Sequence, residues 1–231
     1  MLEQELETLL LEQMNIPTDD FHVFVDQEQE FRKMMMMYNC AIRRVRTKFQ
    51  VLNDELSITQ KRNPIQVIKS RIKQPGSIAA KLRRKGYPVM VESVRENLSD
   101  VAGIRVICAF IDDIYKVADM FTAQDDIELI RRKDYIKKPK TNGYRSLHLI
   151  VEVPVFFSDH KEQLRVEVQI RTMAMDFWAS LEHQLKYKRD IDDAENIMYE
   201  LRACADVISR TDYHMQSLRD RIVENPMVQG N

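Results

Sequence analysis

Two familiar ways of holding a nucleotide are missing from this sequence. It contains no GxxxxGK[ST] run and no GxGxxG turn, and its five glycines in 231 residues leave few places where a backbone could wrap a phosphate. Any nucleotide would have to be held by side chains. Cysteine is as scarce. Cys40, Cys108 and Cys204 are far apart, odd in number and in no metal-ligand spacing, which excludes a disulfide framework and suits reduced thiols. No apolar run approaches the ~20 residues of a membrane span, and the first ten residues lack the basic start of a secretion signal. The expectation is a cytoplasmic protein with no membrane partner. Apolar residues nonetheless make up 44% of the chain, enough for a substantial core and too many for a disordered one.

Charge of one sign is missing from two stretches. Residues 1–30 hold nine acids and no Lys or Arg, whereas residues 61–91 hold nine bases and no acid. A second basic stretch sets Arg131, Arg132, Lys133, Lys137, Lys138, Lys140 and Arg145 against Asp134 alone. The net charge is only -1, so the chain is not built as a general polyanion binder, and nucleic acid is not expected as its main partner. Segregated charge in a near-neutral chain instead suits a focused site for a small, highly charged ligand. Solvated helix faces would give the same counts.

The apolar spacing outlines an α/β protein. Phe31, Met34, Tyr38, Ile42, Val45, Phe49, Leu52 and Leu56 form one stripe of a long helix over 28–60, ended by Asn63-Pro64. An extended stretch, Ile65 to Lys73, precedes a short helix from Ser77 to Lys85 that Gly86 closes. Gly103 to Phe110 reads as a central strand, 112–124 as a helix, and 127–133, 144–153 and 164–171 as strands. Thr172 caps a helix with Phe177, Trp178, Leu181 and Leu185 on one face and a Glu182–Lys186 pair outside. A last helix, 192–223, carries Ile197, Leu201, Ile208, Met215 and Leu218. The sum is a mixed sheet of about five strands flanked by helices. A central unit over 61–190 lies between helical extensions at 1–60 and 191–231. The long terminal helices serve equally to cover the sheet or to build a subunit interface.

Within this frame, Val166 to Arg171 alternates cleanly. Period-two geometry sends Val166, Val168 and Ile170 to one face and Glu167, Gln169 and Arg171 to the other, about 6.6 Å apart. A carboxylate, an amide and a guanidinium side by side are useful in a cleft and expensive in a core. Asp100, just ahead of the Gly103 strand, could join Glu167 as a hard oxygen ligand for Mg²⁺. Asn142-Gly143 supplies a turn, and Tyr144 and His148 share strand parity, so an aromatic ring and an imidazole could line one pocket.

These segments, taken in order, carry a resemblance. Arg71-Ile-Lys73 with Ser77 and Lys81, Asp100-Val-Ala-Gly-Ile-Arg105, Lys140-Thr-Asn-Gly-Tyr144-Arg-Ser-Leu-His148 and Glu167-Val-Gln169-Ile-Arg-Thr172 resemble the synthetase domain of the RelA/SpoT family over residues 60–190. Within that family the chain is similar to the single-domain small alarmone synthetases, and to the RelP type more than the RelQ type.

The resemblance implies a nucleotidyltransferase-like synthetase fold and Mg²⁺-dependent transfer of pyrophosphate from ATP to the 3′-hydroxyl of GDP or GTP. It implies that Arg71 and Arg105 sandwich the adenine, that Lys73, Ser77 and Lys81 hold the ATP phosphates, and that Asp100 and Glu167 bind the metal. On the acceptor side, Tyr144 would stack on guanine, Asn142 would orient the nucleotide, and Lys140 and His148 would meet its 5′-phosphates. Gln169 would support that site, Ala179 would lie against the base, and the loop 133–140 would stay mobile until the acceptor binds. The resemblance further implies a homotetramer. No His is followed by Asp, the hydrolase signature of the larger relatives, and the chain is short for ribosome-sensing domains, so synthesis without hydrolysis is expected. Two rivals stay open: a relative that modifies the 3′ end of tRNA with the same chemistry, and a non-catalytic nucleotide sensor or RNA-binding module.

Overall fold

The computed structural model describes residues 28–186 and 194–224. Helix α1 (Glu28–Thr59) runs into β1 (Ile65–Ile72), and two short helices follow, α2 (Pro75–Arg84) and α3 (Val91–Asn97). Then come β2 (Ala102–Cys108), α4 (Ile111–Thr122), β3 (Glu128–Asp134), β4 (Leu147–Phe156) and β5 (Lys161–Thr172). The chain closes on α5 (Met173–Lys186) and α6 (Ala194–Glu224). The helices expected within 1–27 lie outside the described residues. Among the described residues no helix is long and apolar enough to cross a membrane.

The five strands form one mixed sheet in the order β1-β2-β5-β4-β3. Only β2 and β5 run parallel; the other neighbours are antiparallel. Alternation along the strands gives the sheet one apolar face. Ile104 lies beside Val168, which lies beside Leu149, and all three are buried. Helix α1 covers that face with its predicted stripe, and Phe49 stacks on Phe121 of α4 with ring centroids 4.3 Å apart. Of the methionine run, Met34 and Met37 are buried and Met36 is exposed, as a helix with one covered side requires. The core of α1 and the core of the sheet are continuous.

Helix ends follow the local chemistry. Gly86 takes φ 76° just past α2, where Tyr87 N–H donates to the Leu82 carbonyl, so the left-handed position falls on the residue that adopts it freely. At α5 the Thr172 hydroxyl accepts the Met175 N–H and donates to Asp212 Oδ2 of α6, at 2.5 Å.

Four expectations need correction. Tyr144 does not sit in a strand, because β4 begins only at Leu147. Trp178 is buried against α6, but Phe177 is 60% exposed and Leu181 and Leu185 are exposed too, since α6 covers only one side of α5. Glu182 is buried rather than outside and accepts Asn142 Nδ2–H at 3.0 Å. On α6 it is Ala205 and Asp212 that are buried, while Met215 is exposed.

Burial pushes the Asp212 carboxyl above the usual aspartate range, the Thr172 hydroxyl offsetting it only in part. A raised folded-state pKa means that the native chain binds this proton more tightly than the unfolded one. Stability from this group is therefore lost as pH rises from about 4, the unfolded value, through the folded one. Asp212→Asn keeps an acceptor for Thr172 and removes the charge. Its melting temperature is expected to match that of the parent near pH 4 and to exceed it increasingly toward pH 7.

Candidate active site

The sheet face opposite α1 is polar. The register sets Arg71 of β1 beside Gly103 of β2 and Gly103 beside Glu167 of β5. One step along, Lys69 is beside Arg105, Arg105 beside Gln169, Gln169 beside His148 of β4, and His148 beside Lys133 of β3. Parallel pairing of β2 and β5 thus brings together residues more than 60 positions apart. It is the reason that four separate segments make one surface.

Two cavities open on this face. The first, of about 320 Å³, is lined by Lys69, Ser70, Arg71, Lys73, Gly103, Ile104, Arg105 and Gln169, together with Asp100 and Glu167. The second, of about 310 Å³, is lined by Lys81, Lys85, Asn97, Ser99, Arg131, Lys133, Tyr135, Lys140, His148 and Ile150, again with Asp100 and Glu167. Those two carboxylates are the residues that the cavities share. The other charged residues lining each cavity are all bases.

Asp100 lies in the turn between α3 and β2. Its Oδ2 takes Lys73 Nζ at 2.7 Å and Lys81 Nζ at 2.6 Å, while its Oδ1 is buried without a protein partner. Burial alone would raise this carboxyl, but the two ammonium groups outweigh it and hold the pKa below the usual value. Glu167 is treated alike. Burial opposes its ionisation, and His148 Nδ1, at 3.2 Å from Oε1, and Gln169 Nε2, at 2.9 Å from Oε2, more than offset that. The nearby Asp100 charge works against Glu167. Burial also depresses His148 despite its carboxylate neighbour, so the ring is neutral near pH 7.

These features suit a divalent cation. An orphaned buried carboxylate oxygen, a second ionised carboxylate beside it and their mutual repulsion make a site that a hard cation would relieve. Among the described residues no group of three or more His, Cys, Asp or Glu could hold a metal, so phosphate oxygens and water would complete the shell, as is usual for Mg²⁺.

The remaining predicted residues divide. Arg71, Lys73 and Arg105 line the first cavity, Lys140 and His148 the second. Gln169, expected at the acceptor, lies in the first cavity, and Lys81, expected at ATP, lies in the second, with its ammonium on Asp100 between them. Ser77 is exposed on α2 and lines neither. Tyr144, Asn142 and Ala179 stand behind the second cavity. Tyr144 OH is 2.8 Å from His148 Nε2, and Lys140 Nζ sits 4.7 Å from the ring centroid. Ala179 packs with Trp178 and Ala205 in a small second core that Tyr144 joins. The loop 133–140 is tied down: Tyr135 N–H donates to the Ser146 carbonyl, Asp134 Oδ1 accepts two N–H groups, and Ile136 is buried.

Lys69, Tyr135 and Asp176 were not among the predicted site residues. Tyr135 meets His148 edge-on at 5.1 Å and lies 4.9 Å from Lys140 Nζ. An aromatic residue inside the second basic stretch was the available signal.

Helix α6 buttresses this region. Gly143, at φ 88°, is so close to it that an added Cβ would stand 2.6 Å from Ala205 Cβ. Arg145 donates to the Ala205 carbonyl and to Asp206, and Arg202 to the Thr141 carbonyl.

The model of the region found in RelA and SpoT proteins matches residues 70–192. The GTP pyrophosphokinase YwaC of Bacillus subtilis is 39% identical over 194 residues, 84% of this chain and 92% of the relative. The crystal structure of small alarmone synthetase 1 from Bacillus subtilis bound to its product pppGpp superimposes with a TM-score of 0.78 at 32% identity, over 87% of this chain and all of that one. A second structure of that enzyme, bound to AMPCPP, gives 0.72 at 29% identity, over 85% of this chain and all of that one. With a polar sheet face built from the same four segments that carried the resemblance, the chain belongs to the RelA/SpoT family.

Proposed function

We propose that the chain is a GTP pyrophosphokinase that transfers the β,γ-pyrophosphate of ATP to the 3′-hydroxyl of GDP or GTP. The products are ppGpp or pppGpp and AMP. One observation carries this reading: two base-lined cavities meet on one pair of ionised carboxylates. Two polyphosphates must approach each other for this reaction, and bases on both sides with a shared reaction centre are what that approach needs. A pyrophosphokinase relative, together with a relative whose two structures hold AMPCPP and pppGpp, supports the same assignment.

ATP occupies the first cavity, with Arg71 and Arg105 about the adenine and Lys73 on its phosphates. The acceptor occupies the second, with Lys133, Lys140 and Arg131 facing its 5′-phosphates, Tyr135 and His148 forming the aromatic wall and Tyr144 backing it. The acceptor 3′-oxygen forms a bond to the β-phosphorus as the bond to the α,β-bridging oxygen breaks, and AMP leaves. Glu167, ionised and at the seam, takes the proton from the 3′-hydroxyl. Asp100 and Glu167 would hold Mg²⁺, which would neutralise charge on the transferred phosphate oxygens. The exposed apolar residues of α5 and α6 suit contacts between copies, in the homotetramer that the family resemblance implies.

The test is direct. The purified protein is incubated with Mg²⁺, ATP labelled in the β-phosphate, and GDP, GTP or tRNA, and the products are separated by anion exchange. Equal amounts of AMP and a guanosine 3′-diphosphate support the reading. Label on tRNA alone, or on neither acceptor, refutes it.

A further inference from the structure

One buried cation stands behind the reaction centre and touches neither cavity. Arg171 is 3% exposed, and all three of its guanidinium nitrogens are engaged. Nε donates to Ser146 Oγ at 3.4 Å, and Nη1 donates to Asp176 Oδ1 at 3.2 Å. Nη2 donates both to Tyr144 OH at 2.5 Å and to Gln169 Oε1 at 2.7 Å. The same Asp176 oxygen takes Arg105 Nη1 at 3.1 Å, and Lys69 Nζ lies 3.6 Å from the other oxygen.

The polarity of the bonds leading away from Arg171 is fixed by chemistry. A guanidinium only donates. Tyr144 OH, having accepted from it, directs its own hydrogen to His148 Nε2, 2.8 Å away. With Nε2 accepting, the ring carries its hydrogen on Nδ1, which faces Glu167 Oε1 at 3.2 Å. On the other side, Gln169 Oε1 accepts from Arg171, which turns its amide nitrogen toward Glu167 Oε2 at 2.9 Å. Two arms therefore start on one guanidinium and end as donors on the two oxygens of one carboxylate. Reversing the Gln169 arm would set donor against donor at Arg171, and reversing the Tyr144 arm would set a bare Nδ1 lone pair against the Glu167 carboxylate.

We infer that Arg171, with Asp176 as its buried counter-ion, is a positioning residue that fixes the orientation of the Tyr144, His148 and Gln169 side chains and through them the placement of Glu167. Asp176 extends the same device to Arg105 in the ATP cavity, so one buried ion pair aligns both substrate sites. The inference rests on the pyrophosphate-transfer reading.

Arg171→Lys tests it. Lysine keeps the charge but cannot serve Asp176, Tyr144 and Gln169 at fixed angles, so both arms lose their direction. Turnover is expected to fall about 10²-fold, the scale of a displacement of about 1 Å at a reaction centre. KM for ATP and for GDP should stay within about threefold, because the cavity bases are untouched. In a Tyr144→Phe, Gln169→Met background, where both arms are already cut, adding Arg171→Lys should lower kcat by less than about threefold. A purely structural role predicts instead the same added loss in both backgrounds. Parental kcat in Arg171→Lys, or additive losses, overturns the inference. Binding of a non-hydrolysable ATP analogue checks that each variant is folded. If Arg171→Lys does not fold, Asp176→Asn is judged in its place. Lowered kcat with unchanged KM for GDP supports the inference, and parental kcat overturns it. An inactive wild-type protein is a separate outcome: it removes the pyrophosphokinase reading, and this inference with it.

Discussion

Glu167→Gln is expected to reduce turnover by at least about 10³-fold while the protein still binds an ATP analogue. General-base loss is worth about 10²- to 10⁴-fold, and here the same substitution also halves the carboxylate pair at the seam. Glutamine has the right shape and the wrong hydrogen-bonding pattern. Both oxygens of Glu167 receive donors, from His148 Nδ1 and Gln169 Nε2, so an amide must turn its own NH₂ toward one of them. It carries no charge for a cation and cannot take a proton from the acceptor. Arg71, Arg105 and Lys73 are undisturbed, so binding in the first cavity should persist. The loss should thus appear in kcat far more than in KM for ATP, in steady-state assays that follow label from ATP to GDP. A variant that retains a tenth of parental turnover would remove Glu167 from the centre of the reaction.

The second large effect concerns the division of the site. Arg71→Ala and Arg105→Ala are each expected to raise KM for ATP about 10- to 100-fold and to leave KM for GDP nearly unchanged. Lys133→Ala and Lys140→Ala should do the reverse. Each substitution removes a cationic contact to a nucleotide, worth about 1.5–3 kcal/mol, or roughly a factor of 10 to 100 in affinity. The selectivity follows from the lining: Arg71 and Arg105 belong to one cavity, Lys133 and Lys140 to the other. Varying each substrate at saturation of the other measures both constants. If all four variants raise both KM values together, the cavities are not separate nucleotide sites.

Much of this fold could be read from residue spacing because one side of each element faces a core. The stripe from Phe31 to Leu56 is the covered side of α1, and the alternation from Val166 to Arg171 is the two-faced character of β5. The reading failed where spacing says which side is apolar but not what covers it. Phe177, Leu181 and Leu185 share a helical side that is exposed on this chain. Strand parity also failed for Tyr144. Gly143 in the left-handed region and the bonds between Lys140, Gly143 and Tyr144 hold this segment in a turn, and the ring still reaches His148 from there. Of the site, the carboxylates and the bases at Arg71, Lys73 and Arg105 were legible, since each sits in a segment of the family's pattern. Asp176 was not. An aspartate in the first turn of a helix reads as a partner for the helix dipole. Only the parallel register of β2 and β5 reveals that Arg105 and Arg171 converge on it.

The seating of Gly143 against Ala205 has a bearing on how such enzymes diverge. The family match ends at residue 192, and α6 begins at Ala194, beyond every segment that carries the reaction. Yet α6 grips the loop behind the second cavity at Thr141, Gly143 and Arg145. A change at Ala205 or Arg202 would reach the second cavity through this loop without altering any residue that lines either cavity. Preference among acceptors can therefore drift through a helix free of the family's signature, while the chemistry stays fixed.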